Sequence, residues 1–335
     1  MRAVGSRLVN ASASLRNDAW IDVINGGALS LVQDQGRDGW RHLGVARGGA
    51  LDPDSAALAN MLVGNPADAA VLEFALQGPS LRLPQPLRLA VLGAQCEARF
   101  DGAALPLARP VELPAGTLHL GGMREGARAW VAVSGGIDLP QVLGSRATDL
   151  RGGYGGVDGR ALRKGDRLPI GAHAAIEADA PRAPGWWIDP RAGHDPLAPI
   201  RYVASTAPAL RDVVLAVGQR EWRVHPASNR QGLRLDGDAL DALSASGLSE
   251  PVAPGTLQLP PDGRPIVLLA DAQTVGGYAR LGHVIAADLP RLAQLQPNQR
   301  LRLRACGADE AAAAQAAARA ERARLELAIA ARLRG

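Results

Sequence analysis

Short apolar runs that alternate with turn residues constrain the fold of this 335-residue chain more than any other feature. Glycine (39) and proline (24) are abundant and aromatic residues make up only 3%. This mixture favours many short strands joined by turns over a helical bundle. The regular spacing of the runs is typical of a sandwich or barrel, so we predict a mainly β fold with short helices. Between positions 81 and 133 we expect separate strands at 87–92, 96–100, 117–120 and 129–133.

Two segments carry helix signals. Asp52 is a plausible N-cap, Pro53 suits the first helical position, and Gly64 ends the apolar run that follows. Residues 308–334 are rich in Ala, Glu and Arg and lack Gly and Pro, which predicts a long C-terminal helix. That helix either docks on the body or a partner, or stays solvated. The docking residues would be Leu325, Leu327, Ile329 and Leu333.

The length of the chain exceeds what one core usually holds, so we expect two domains or one large compound domain. A stretch rich in Pro and Trp at 178–198 has the composition of a linker or of a long excursion from the body. We predict a polar leader at 1–19, an N-terminal β lobe at 20–198, a C-terminal β lobe at 199–305 and the C-terminal helix at 306–335.

Composition argues against several classes of function. The net charge is only +4, and no basic block with interleaved aromatic residues is present, so we expect no nucleic-acid partner. No run of 18 apolar residues and no secretory h-region occur, which predicts a cytoplasmic protein without a membrane partner. Cys96 and Cys306 are too few for a disulfide framework, and the six histidines never show HxH or HxxxH spacing. We therefore predict free thiols and no metal site.

Polar residues gather after strands in the first half of the chain. The turn at 33–39 offers a carboxylate and a guanidinium that could hold a polar ligand, although an internal Asp–Arg pair in a hairpin turn explains the spacing more simply. The glycine-rich stretch at 134–156 supplies backbone amides and hydroxyls that could bind an oxyanion, or it is a plain connecting loop. The candidates are Gln33, Asp34, Arg37, Ser134, Gly135, Gly136, Ser145 and Thr148.

A second set follows strands in the other half. The buried-looking run at 268–270 ends abruptly in polar residues, and such groups often line a pocket because the strand holds them rigidly. A capped strand end without function is the alternative. The candidates are Ser228, Arg230, Glu250, Asp271, Gln273, Thr274, Gly276, Gly277 and Tyr278.

Taken in order, these segments resemble a known family. The matching motifs are QDQGR (33–37), GVARGGALD (44–52), VSGGID (133–138), GSRATDLRGGYGG (144–156), SNRQGLRL (228–235), PPDGRPIVLLAD (260–271) and QTVGGY (273–278). They resemble the biotin-dependent carboxyltransferases of the allophanate hydrolase subunit 2 type, over about residues 21–303. The branch that contains the C subunit of bacterial 5-oxoprolinase, together with the antagonist of a kinase inhibitor, is the most similar. The chain departs from the common family pattern at Asn229, Pro251 and Ala272.

The resemblance implies a cyclophilin-like fold of two barrel-like lobes, and two partners: a B subunit of related fold and a third, A subunit. It also implies ATP-dependent opening of 5-oxoproline, a small amide, to L-glutamate, with ATP as a cofactor of the whole complex. Lys164, the only lysine, lacks the Met-Lys-Met context of a biotin carrier, so we expect no biotin on this chain. Two other functions stay open: a carboxyltransferase half acting on another amide, and a regulatory protein that binds a histidine-kinase inhibitor.

We expect one polar cleft, with roles set by the chemistry of the residues that face it. These residues are Asp34, Arg37, Ser134, Thr148, Asp271, Gln273 and Thr274. Arg37 would bind a carboxylate or phosphate, because its planar fork fits either group. Asp271 is the preferred acid–base residue, with Glu250 second. Thr274, with the amides of Gly276 and Gly277, would stabilise an oxyanion. The other candidates would bind the substrate.

Overall fold

The computed structural model describes residues 15–16, 19–191, 195–241 and 248–334. A nine-stranded sheet curls into a half-barrel, and a closed seven-stranded barrel follows it in the chain. The prediction of a mainly β fold with two barrel-like lobes and a C-terminal helix is therefore confirmed. Most of the predicted polar leader lies outside the described residues, and the domain limits stay a prediction. Within the described residues, no helix combines the length and apolar character needed to span a membrane.

The half-barrel lobe comes first. Its sheet runs β10-β2-β5-β9-β4-β3, with β6 joining β9 to the short β7 and β8, while β1 pairs only with β11. The strands are β1 (Leu15–Arg16), β2 (Trp20–Asn25), β3 (Leu29–Gln33), β4 (Val71–Ala75), β5 (Ser80–Leu83), β6 (Leu87–Phe100), β7 (Ala103–Ala104), β8 (Val111–Leu113), β9 (Gly116–Val133), β10 (Arg167–Pro169) and β11 (His173–Ala174).

The barrel lobe follows. Its strands are β12 (Ile200–Ala204), β13 (Glu221–Val224), β14 (Gly232–Asp236), β15 (Glu250–Pro251), β16 (Thr256–Leu259), β17 (Ile266–Leu268), β18 (Val275–Gly276), β19 (Ala279–Val284) and β20 (Arg300–Cys306). The barrel runs β12-β19-β16-β17-β14-β13-β20 and closes where β12 pairs in parallel with β20. Closure leaves its strands without unpaired edges. β15 and β18 form a separate two-stranded ribbon.

Two long strands replace the four short ones expected between positions 81 and 133, so that part of the prediction is wrong. β6 and β9 pair along most of their length. The register of this pairing shifts near Gly93 and Gln95, but the pairing continues beyond them. Gly93, at φ 113°, adopts a backbone conformation that glycine tolerates. Bulges of this kind bend a strand without stopping it, so turn-like residues were absorbed into continuous strands.

The helices are α1 (Pro53–Leu62), α2 (Arg211–Gln219), α3 (Leu289–Leu292) and α4 (Ala308–Arg334). Asp52 caps α1 as expected, since its Oδ1 accepts a hydrogen bond from the Ser55 amide at 3.0 Å. Most of α1 is buried, and its apolar residues share one core with Trp130 of the half-barrel and Trp222 of the barrel. α1 therefore belongs to the packing of both lobes.

The C-terminal helix docks on the body through part of the predicted set. Leu325 and Ile329 are buried, whereas Leu327 is 73% exposed and Leu333 is 39% exposed. Arg322 of α4 also forms an ion pair with Asp54 of α1. Docking is thus carried by two of the four predicted residues.

A buried ionic network joins the two lobes. Arg230, just before β14, donates from Nε to Asp271 Oδ2 at 2.8 Å and from Nη2 to Asp271 Oδ1 at 2.9 Å. Its Nη1 donates to Oε1 of Glu73, which lies on β4 of the other lobe. Glu73 Oε2 accepts from the Leu51 amide (2.8 Å) and from Trp130 Nε1 (3.0 Å). Every charge in this network therefore has partners.

Burial and pairing act in opposite directions on these groups. Burial lowers the pKa of Arg230, but the carboxylates of Asp271 and Glu73 outweigh it and hold that pKa above its usual value. Arg230, Glu73 and Asp271 are each at most 5% exposed. Removing the central cation would leave two buried carboxylates without their main partner, which is costly.

We predict that Arg230→Met lowers the free energy of unfolding by about 3–5 kcal/mol, because it removes the cation and leaves buried carboxylates without their main partner. Arg300→Met is the matched control, since Arg300 pairs with Glu221 on the surface with a 63% exposed side chain. Its expected cost is below about 1 kcal/mol. Chemical denaturation of both variants measures the difference. Equal stabilities would show that the network does not hold the lobes together.

Candidate functional site

Asp34 ties together the two loops that carry most of the first-half candidates. Its Oδ1 accepts from the Gly36 amide at 2.8 Å and from Ser145 Oγ at 2.6 Å, and its Oδ2 accepts from the Arg146 amide at 2.5 Å. The carboxylate is buried, and three donors already occupy it. Asp34 therefore shapes the site rather than offering a free oxygen pair.

An open pocket of about 310 Å³ lies against this carboxylate. Arg146, which the sequence did not single out, lines it and donates from Nη2 to Asp138 Oδ1 at 2.5 Å. The Arg146 Nε is buried without a hydrogen-bond partner among the described residues. The mixed charges suit a small polar molecule. Residues that line it include Asp34, Asp68, Gly135, Gln141, Gly144 and Arg146.

Most groups of the glycine-rich loops are already used within the protein. The Gly135 amide donates to Asn65 Oδ1 and the Gly136 amide to the Val133 carbonyl, both at 2.9 Å. Thr148 Oγ1 donates to the Val32 carbonyl at 3.0 Å. The amides expected to bind an oxyanion are thus engaged in holding the loops.

Two of the predicted site residues have a buried side-chain oxygen that makes no hydrogen bond within the described residues. Gln33 donates from Nε2 to the Thr148 carbonyl at 3.1 Å, while its Oε1 is buried without a partner among the described residues. Ser134 Oγ is also buried and unpaired in the described part of the chain. Unsatisfied buried atoms are costly, so each is a candidate for contact with a ligand or water.

Arg37 is the most unusual of the predicted residues. It is 1% exposed, donates from Nε to the Val142 carbonyl at 3.1 Å and from Nη2 to the Ala147 carbonyl, and lies 4.8 Å from the centre of the Tyr154 ring. Its Nη1 is buried without a hydrogen-bond partner in the described residues. Among these residues it forms no ion pair with Asp34 or any other carboxylate, so the simpler interpretation of the 33–39 turn does not hold.

Arg37 and Asp271 approach the same space from different lobes. A Cβ on Gly48 would lie 3.4 Å from Arg37 Nη1 and 3.9 Å from Asp271 Oδ1. The Gly48 amide donates to the Ala270 carbonyl at 3.1 Å, which fixes this segment against the barrel lobe. Burial raises the pKa of Asp271, against the opposing effect of Arg230. The lobe junction therefore combines a buried cation and a buried carboxylate.

Tight backbone contact positions this junction. The Arg37 amide donates to the Arg47 carbonyl at 2.7 Å, and the Ala50 amide donates to the Asp34 carbonyl at 2.8 Å. A Cβ on Gly49 would lie 2.7 Å from the Gly36 nitrogen, closer than real side chains allow. Glycine is required here so that the two segments can cross.

The remaining candidates of the barrel lobe lie on or near the β15–β18 ribbon. Glu250 is opposite Gly276, and the Val252 amide donates to the Thr274 carbonyl at 2.9 Å. The Glu250 side chain is 53% exposed and pairs with Arg280. In the same region Gln273 and Gly277 are half-buried, and Tyr278 is exposed.

Ser228 lies in the β13–β14 turn. Its Oγ accepts from the Arg234 amide at 3.0 Å and so helps to close that turn. Asn229 Oδ1 accepts from the Gln231 amide at 2.8 Å in the same turn. Ala272, another departure from the family pattern, is fully buried beside Val252 and Leu268.

Sequence reasoning gave no role to several residues that build the junction, chiefly Glu73, Gly48 and Tyr154. Glu73 had a detectable signal, because it is the one charge in the otherwise apolar run 71–75 and a buried charge needs a partner.

Within the described residues, no group of three or more His, Cys, Asp or Glu side chains is arranged to hold a metal ion. Cys96 is buried, and burial raises its thiol pKa to about 11.

We predict that Asp34→Asn destabilises the protein by about 1–3 kcal/mol, because an amide group would face donors that now bind a carboxylate. Asp38→Asn, on the same turn with a 78% exposed side chain, is the control and is expected to change stability little. Urea unfolding of the two variants measures the effect. A fully stable Asp34→Asn protein would contradict the role of Asp34 in joining the loops.

Comparison with known proteins places this architecture in a family. The model of the carboxyltransferase domain, subdomain A and B, matches residues 43–305. A relative from Escherichia coli (strain K12), named as the C subunit of 5-oxoprolinase, is 39% identical over 295 residues, which cover 87% of this chain and 93% of that protein.

Solved structures agree with the sequence comparison. The crystal structure of TTHA0988 matches with a TM-score of 0.74 and 35% identity, covering 86% of this chain and 56% of that chain. The K. lactis urea amidolyase matches with a TM-score of 0.80 and 26% identity, covering 92% of this chain but 20% of that chain. In both solved proteins the similar unit is thus only part of a longer chain. This chain belongs to the carboxyltransferase family that is defined by subdomains A and B.

Proposed function

We propose that this chain is the C subunit of an ATP-dependent 5-oxoprolinase complex, which opens 5-oxoproline to L-glutamate. The observation that carries the proposal is the 39% identity to the C subunit of E. coli 5-oxoprolinase, over 93% of that protein. Correspondence over nearly the full length of a relative supports a shared role better than a match to one domain of a larger enzyme does.

The reaction sets clear requirements for a site. Water adds to the ring carbonyl, the C–N bond of the lactam breaks, and the products are a carboxylate and an amine. Hydrolysis of ATP supplies the driving force at the level of the complex. The protein must therefore orient a small cyclic amide, neutralise its carboxylate, and transfer a proton to or from the reacting atoms.

The lobe junction offers groups of these kinds. Arg37 provides a buried cation whose Nη1 has no partner in the described residues, and Asp271 provides a carboxylate whose pKa burial raises. A pKa above that of a free carboxyl group makes Asp271 a stronger base for proton transfer. The pocket beside Asp34 and Arg146 provides open space next to the same loops. In this proposal, the A and B partners complete the enzyme, and the isolated chain is inactive.

The proposal is tested by producing this chain together with its two partners and measuring glutamate released from 5-oxoproline. We expect release that requires ATP and all three chains. Omission of this chain, with the other two still soluble, is the control. An assembled three-chain complex that releases no glutamate would contradict the proposal.

A carboxyltransferase half is the second candidate, and the similarity to the K. lactis urea amidolyase over 92% of this chain favours it. The two candidates differ in their need for biotin. Avidin, which sequesters biotin, should leave glutamate release by the complex unchanged if the first proposal is correct. A bicarbonate-dependent activity that avidin abolishes would favour the second.

We predict that Asp271→Asn lowers kcat of the assembled complex by about 10²–10⁴-fold, because it removes the proposed acid–base group. Because Asp271 also pairs with Arg230, assembly of the variant complex is first verified by gel filtration. Asp262→Asn, an exposed residue of the same lobe, is the control. Unchanged kcat in an assembled Asp271→Asn complex would refute the assignment.

A further inference from the structure

The space beside Gly48 has an unusual boundary. Apart from chain neighbours, the described residues place only two atoms within 4 Å of the position that a Gly48 Cβ would take. These atoms are Arg37 Nη1, a hydrogen-bond donor, and Asp271 Oδ1, an acceptor. The gap beside Gly48 is therefore bordered by one donor and one acceptor, supplied by different lobes.

The donor side of this gap lacks a partner. Arg37 uses Nε and Nη2 on backbone carbonyls, while Nη1 is buried and makes no hydrogen bond in the part of the chain that the structure describes. A buried charged donor without a partner is costly, and an acceptor placed in the gap would remove that cost.

The acceptor side is held firmly and has capacity left. Both oxygens of Asp271 accept from Arg230, which fixes the orientation of the carboxylate. An ionised carboxylate has about four acceptor positions, so Oδ1 can accept a second donor. Tyr154 lies over the Arg37 guanidinium and is half-buried, on a loop whose neighbouring residues 151–153 are exposed.

We propose that the gap beside Gly48 recognises the amide edge of a lactam, with the ring carbonyl accepting from Arg37 Nη1 and the ring N–H donating to Asp271 Oδ1. A small ring holds its amide in the cis form, so carbonyl and N–H lie on the same edge. This inference rests on the proposed function and deepens it, because it assigns Arg37 to the lactam carbonyl rather than to a carboxylate.

The chemistry of the gap discriminates between related ligands. A substrate carboxylate placed there would face the negative charge of Asp271. The corresponding lactone keeps the ring carbonyl but lacks the N–H, and its ring oxygen would meet Oδ1 as a second acceptor. A site built to receive a donor rejects analogues that lack it, because the buried acceptor is left unpaired.

Gly48→Ala tests the inference without removing any partner from the network. The new methyl group would occupy the gap at ordinary contact distance from Arg37 and Asp271. Gly48 has φ 63°, so alanine there is strained. Gly102→Ala controls for that strain, since Gly102 has φ 86° and open space around its Cβ position.

Calorimetry on the assembled complex measures the binding of 5-oxoproline and of its lactone analogue. We expect the unmodified complex to bind the lactam at least about tenfold more tightly than the lactone. Gly48→Ala should weaken lactam binding by about tenfold or more, and Gly102→Ala should leave it unchanged.

The outcomes separate this inference from the proposed function. Equal binding of lactam and lactone, lactam binding by Gly48→Ala that matches Gly102→Ala, or no lactam binding by the unmodified complex overturns the inference. Selective, Gly48-dependent lactam binding without ATP-dependent glutamate release supports the inference while overturning the proposed function.

Discussion

The guanidinium of Arg230 is shared between Glu73 of the half-barrel and Asp271 of the barrel, and the position of the site depends on this contact. Buried charges are costly unless they are paired or hydrogen-bonded, so the arrangement of the two lobes that satisfies all three of these groups is strongly favoured. Leu51 and Trp130 hold Glu73 from the other side. The network thereby fixes where Asp271 lies relative to Arg37 and Gly48.

Some polar groups around the junction are hydrogen-bonded within the protein, whereas others have no partner in the part of the chain that the structure describes. Asp34, Ser145, Thr148 and the amide of Gly135 are bonded within the protein and hold the loops in place. Arg37 Nη1, by contrast, is buried without a partner among the described residues. A cluster of polar residues in the sequence therefore need not mean that each one contacts a ligand. Several of them maintain the geometry of the loops around Arg37 Nη1.

The sequence predicted the elements that local chemistry determines. Asp52, Pro53 and Gly64 defined α1, and the absence of Gly and Pro defined α4, because caps and helix propensity act over a few residues. It failed where distant pairing overrides local signals. Gly93 and its neighbours resemble a turn, yet they lie within β6 because β9 continues to pair beside them.

Prediction of the candidate site from the sequence was limited in the same way, because distant contacts leave no local signal. Arg37 and Asp271 were named from their positions after strands, and the turns that carry them could be recognised locally. No spacing rule, however, connects Glu73 with Arg230, which are 157 positions apart, because only the closed fold brings them together. The direction of each side chain, and so the difference between a structural and an available group, likewise depends on packing between the lobes.

A crystal structure of the assembled complex with 5-oxoproline tests the central claim most directly. We expect electron density for the ring beside Gly48, with its carbonyl at Arg37 Nη1 and its N–H at Asp271 Oδ1. A ring bound instead in the open pocket between Asp34 and Arg146, or on one of the partner chains, would contradict the claim that the lobe junction of this chain recognises the substrate.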